Sequence, residues 1–219
     1  MKVEFLDIVL GYFVLVIQVA VAVIAVVKYQ AYKSTPLKYI SIILIYTAVN
    51  EIIGSLNIYS NNNNVLIYNI YNVIYFLFFY NAFWYSITKE KYRNWIVVCV
   101  GIFVLASVVN PFFQNFITES QLLAYVVGAC ALLFCIILYY IEILSTSKVL
   151  LIRRDLLFWI SVGLLLFYVG YIPIKLTRVF FEYQDNVYLA LRIVHRILIL
   201  ILNGCFIIGF LWMKKKLPR

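Results

Sequence analysis

The chain has 219 residues, 66% of them hydrophobic and 12% charged, with a mean hydropathy of +1.00 and a net charge of +9. That composition cannot cover a water-facing surface, so a soluble globular domain is excluded. The basic excess is read as positive-inside bias and attraction to anionic lipid; no motif interleaving aromatic and basic residues accompanies it, and nucleic acid is not an expected partner.

A hydrocarbon core of about 30 Å takes roughly 20 apolar residues in a helix to cross, and a helix satisfies its own backbone there. Seven stretches reach that length: Phe5 to Val27, Leu37 to Tyr59, Val65 to Ile87, Trp95 to Phe113, Leu122 to Leu144, Leu156 to Leu176 and Val187 to Trp212. The expected fold is an all-α polytopic membrane protein, a seven-transmembrane-helix bundle forming one domain embedded in the lipid bilayer. Lys2 is followed by Glu4 and Asp7, and no small-residue cleavage site follows the apolar run, so the first span is expected to remain as an anchor.

The loops set the orientation. Lys28, Lys33 and Lys38 follow the first span; Lys89, Lys91 and Arg93 the third; Lys148, Arg153 and Arg154 the fifth; Lys214 to Lys216 and Arg219 the seventh. Thirteen of the 18 basic residues thus fall on one side, which predicts a cytoplasmic C-terminus and an outer N-terminus. The opposite loops hold the Asn61 to Asn64 turn, Asn110, Pro111 and Glu119, then Glu182 and Asp185. Trp84, Trp95, Trp159 and Trp212 all sit at the predicted cytoplasmic ends, where amphipathic rings favour the headgroup level.

Absences narrow the chemistry. Cys99, Cys130, Cys135 and Cys205 lie inside predicted spans and read as small apolar fillers, so no disulfide framework is expected. His195 is the single histidine, which excludes bis-histidine haem and a zinc-protease motif, and no metal or cofactor is expected. The last span has no lysine within the bilayer to carry retinal, and glycine-rich phosphate loops are missing. No enzymatic activity is expected.

What remains is a set of polar residues at depths that lipid penalises. Arg192, His195 and Arg196 are spaced i, i+3 and i+4 on one face of the last span, a stripe that continues to Asn203. Lys175 and Arg178 follow Pro173, where a kink would free a backbone carbonyl. Glu51, on a stripe with Thr47, Gly54 and Ser55, is the single deep carboxylate on this reading and the expected partner of Arg192 or Arg196. Asn69 and Asn72 join it with Tyr68, Tyr71 and Tyr75. Together these predict an outward-facing polar cavity whose basic excess suits a small anionic or polar ligand. The alternatives are structural. Arg192 to Arg196 then become headgroup-level anchors, Glu51 an interhelical hydrogen-bond knot, Asn69 and Asn72 packing glue, and Ala124 with Gly128 a helix-contact patch.

The segment Asn69 to Tyr85, NIYNVIYFLFFYNAFWY, with Lys89, Lys91 and Arg93 after it, and the last span with Val194 and His195 through Asn203, Gly204 and Gly209, resemble the seven-span membrane proteins common in Bacteroidetes-type bacteria. Some members of that group carry a C-terminal histidine kinase or similar output domain. The resemblance implies a sensory or regulatory membrane module and carries His195 over as a site residue. This chain departs from the group at Tyr75, between Ile74 and Phe76, where the group has an acidic residue. The leading expectation is a sensor- or receptor-like module that signals through a separate cytoplasmic output protein docked on the basic loops. The rival classes are a small transporter or channel, and a non-catalytic assembly subunit of a membrane complex.

Overall fold

The computed structural model describes residues 2–55, 63–146, 152–181 and 185–213, and every regular element among them is a helix. The helices are α1 (Lys2–Val27), the short α2 (Tyr29–Tyr32), α3 (Ile40–Ser55), α4 (Asn63–Ser86), α5 (Glu90–Val109), α6 (Leu122–Leu144), α7 (Leu156–Thr177) and α8 (Asn186–Trp212). Among the described residues, six helices are long and apolar enough to cross a bilayer, and α3 is a shorter apolar helix. Large side chains left open on α1, among them Phe5, Tyr12, Val16 and Val23, fit helices whose outer faces meet hydrocarbon. The distal end of the expected second span, beyond residue 55, lies outside the described residues, as do Asn61, Asn62, Lys148, Glu182, Lys214 to Lys216 and Arg219.

The expected fourth span shifts most. α5 begins at Glu90, five residues before the predicted Trp95, so Lys91 and Arg93 stand in its first turn and not in a loop. Glu90 in that turn suits the positive end of the helix. Arg93 lies over the Trp84 ring at 3.7 Å, which shelters its guanidinium at the end of α4. At the other end Pro111 occupies the start of a 3-10 turn, Asn110–Phe112, where its missing N–H leaves no partner unserved. α7 continues through Pro173 to Thr177, whose hydroxyl donates to the Pro173 carbonyl at 2.8 Å.

The described chain divides into two compact units, residues 1–31 with 153–219, and residues 32–152. In the first, α7 and α8 run antiparallel. Tyr171 stacks on His195 at one end, and Trp159 meets Trp212 edge to face at 5.3 Å near the other. Asp155 caps α7, its carboxylate accepting from the Leu157 N–H at 3.0 Å. α1 runs alongside α8 in the same direction, with Asp7 and Gly11 level with Arg192 and Arg196.

In the second unit, α4 and α6 are parallel and α5 is antiparallel to both. Phe76, Tyr80 and Phe103 interlock at their centre, with ring centroids 5.3 to 6.3 Å apart. The predicted Ala124 and Gly128 patch is at this contact. A Cβ on Gly128 would stand 2.9 Å from two Phe103 ring atoms and 3.0 Å from Phe76, while Tyr80 donates its hydroxyl to the Gly128 carbonyl at 2.7 Å. Packed rings cannot retreat, so Gly128→Leu is expected to destabilise the protein by about 1–3 kcal/mol, read as a lowered melting temperature in nanodiscs. An unchanged melting temperature would show that the three helices are not packed this closely.

Candidate functional site

The charged residues predicted on α7 and α8 come together at one end of the first unit. The i, i+3, i+4 spacing puts Arg192, His195 and Arg196 on one face of α8. Counting from the start of that helix, Arg192 is roughly 9 Å along the axis and Arg196 roughly 15 Å. His195 lies flat on Tyr171, with ring centroids 4.0 Å apart and planes 19° from parallel, and Phe167 flanks it at 6.0 Å. Arg178 reaches the Tyr188 hydroxyl at 2.9 Å, with the ring beneath its guanidinium at 4.5 Å, and it also meets the Tyr171 hydroxyl. Lys175, one turn before Arg178, stands with Arg178 and Arg196 near enough to act electrostatically on the imidazole.

The carboxylate described against both α8 arginines is Asp7 of α1, where Glu51 was expected. Its Oδ2 accepts from Arg192 Nη2, its Oδ1 is 3.1 Å from Arg196 Nε, and its main-chain carbonyl accepts from Arg196 Nη1. The Asp7 side chain is 3% exposed, against 17% for Arg192 and 22% for Arg196, so the acid is sealed while both arginine side chains stay partly exposed. Gly11 makes this possible: a Cβ there would overlap Arg196 Nη1 and stand 2.9 Å from its Cζ. The sequence reading passed over Asp7. The available signal was an acid inside the first apolar run, a position lipid penalises unless a partner meets it.

Glu51, Asn69 and Asn72 belong to the second unit. Glu51 lies near Tyr68 and Tyr71, and the Tyr71 hydroxyl shares a 2.7 Å hydrogen bond with Thr47. Asn69 is 3% exposed and holds the α5–α6 loop: its amide donates to the Phe116 and Glu119 carbonyls at 2.8 and 2.9 Å, and its oxygen accepts from Gln121 N–H at 3.3 Å. Asn72 lines a small cavity beside it.

Two further polar residues went unnoticed in the sequence. Glu142 is 3% exposed and accepts from Thr88 N–H, the Thr88 hydroxyl and Lys89 N–H at 2.7, 2.6 and 3.1 Å, which caps α5 from α6. Gln18, on α1, is 6% exposed. The expected pairing is therefore corrected at Asp7, which is described against the α8 arginines; Asp7 and Glu142 are both more buried in the protein than Glu51. No cluster of three or more histidine, cysteine or acidic residues suited to a metal occurs among the described residues. Comparison of the chain with protein-family models, curated proteins and solved structures found no match in any of the three.

Proposed function

We propose that this is a sensor- or receptor-like integral membrane module of a bacterial inner membrane, with seven spans, an outer N-terminus and a cytoplasmic C-terminus. On this reading α3 is part of the second span, and the cluster on α1, α7 and α8 faces outward and takes a small anionic ligand. Signalling then passes to a separate partner on the basic cytoplasmic side. The observation that carries the proposal is the meeting of Lys175, Arg178 and Arg196 around His195, with Asp7 holding Arg196 and Arg192.

Basic side chains gathered at one end of α7 and α8 favour an anion, and a buried acid that fixes two arginines spares a ligand the entropy of ordering them. The partial exposure of the Arg192 and Arg196 side chains leaves such a ligand a way to reach them. The sensory part of the proposal draws on the resemblance to seven-span proteins that carry kinase domains.

The test is thermal stability of the purified protein in nanodiscs, titrated separately with inorganic phosphate and with succinate. Saturable stabilisation by one of them is expected. Arg178→Gln should weaken it at least about tenfold, a loss of roughly 1.4 kcal/mol, read against the variant's own melting temperature when no ligand is added. Arg178 is chosen because it does not hold Asp7. If neither anion stabilises the protein, or if the variant binds as the wild type does, the anion site is wrong.

A further inference from the structure

A separate feature sits where α4, α5 and α6 meet the α5–α6 loop. A cavity of about 20 Å³, room for one water-sized group, is bordered by Asn69, Asn72, Ser107 and Gln121 and walled by Phe76 and Phe103. Its polar inventory is lopsided. The Gln121 amide nitrogen is spent on the Gln114 carbonyl at 2.9 Å, with the Glu119 carbonyl at 3.4 Å, and both Asn69 amide hydrogens go to the loop. The Ser107 hydroxyl donates to the Phe103 carbonyl at 2.8 Å.

The oxygens are left over. Gln121 is 7% exposed, and its Oε1 is buried with no hydrogen-bond partner. Ser107 Oγ keeps its lone pairs, and Asn72 contributes an amide without a described hydrogen bond. A buried amide oxygen without a donor is a cost that folded proteins rarely leave standing.

We propose that this cavity seats one compact group carrying two or more N–H or O–H hydrogens, which donates to Gln121 Oε1 and to Ser107 Oγ. The shared chemistry has two sources, a bound water or an ammonium-type head. The unpartnered Gln121 oxygen favours a hydrogen-bond donor there over an anion. The proposal does not depend on the anion site of the first unit.

The test is a cryo-EM map of the nanodisc-embedded protein, in amine-free buffer, at a resolution that shows ordered water. A peak within hydrogen-bonding distance of Gln121 Oε1 is expected, and in that buffer it is water. Melting temperatures in ammonium chloride and sodium chloride at equal ionic strength then separate the sources. Stabilisation specific to ammonium identifies the charged head, and its absence alongside the peak leaves water as the occupant. Ser107→Val fills the space and removes an acceptor, so it should abolish the peak and any ammonium effect; Asn72→Leu serves the same end if that variant fails to fold. An empty cavity in the wild type, Gln121 Oε1 turned onto a protein donor, or a peak that persists with the cavity filled would overturn the proposal.

Discussion

Asp7→Asn is expected to destabilise the protein by about 3 kcal/mol, within the range for breaking a buried ion pair on one side. The carboxylate meets Arg192 through one oxygen and approaches Arg196 with the other, and at 3% exposure water cannot replace it. Asparagine keeps the shape but withdraws the charge, and it offers a nitrogen where one of the arginines needs an acceptor. Part of the loss is recovered, because both arginine side chains are partly exposed and Arg196 still donates to the Asp7 main-chain carbonyl. Reversible unfolding in mixed micelles measures the effect. A double-mutant cycle with Arg192→Gln should give a coupling of about 1–3 kcal/mol, as for residues in one ion-pair network. Additive effects, or an Asp7→Asn protein as stable as the wild type, would mean that the pair does not hold α1 to α8.

The second large effect is at Glu142. Lys89, the N-cap residue of α5, makes no side-chain capping bond, and the donors at that helix start turn instead to a carboxylate on α6. Three donors converge on its two oxygens. Glutamine keeps one acceptor oxygen and sets an amide nitrogen against N–H groups, so Glu142→Gln should cost about 2–4 kcal/mol, as expected when charge-assisted bonds are lost and a buried donor is stranded. Hydrogen exchange at the Thr88 and Lys89 amides should quicken in the variant before the rest of α4 and α5 is affected. Unchanged protection at those two amides would remove Glu142 from the capping role.

Both predictions rest on contacts that sequence reading could not supply. Arg192, His195 and Arg196 were legible as a face because helical spacing is local. Their partner Asp7 is 185 residues from Arg192, and nothing in the periodicity of α8 points to it. Glu142 reads on its own as an acid near the end of an apolar run, and only the fold sets it against Thr88, 54 residues away. Asn69 shows the reverse case. Its polarity within an apolar stretch was visible, but its role as the clamp of the α5–α6 loop depends on carbonyls of that loop, Phe116 and Glu119, turning toward α4.

The sequence by itself determined that the chain is helical and suited to a membrane, and where most of its helices lie. α6 spans Leu122–Leu144 as its apolar run predicts, and α7 and α8 differ from expectation by a residue at most at either end. The reason is that span length is dictated segment by segment by the thickness of the hydrocarbon and the need to satisfy the backbone within each helix. Tertiary structure decided which polar residues meet: Asp7 with two arginines, Glu142 with the start of α5, Asn69 with the α5–α6 loop. Those choices depend on which helix faces come together, and lipid of uniform apolar character leaves that to packing and hydrogen bonds between helices.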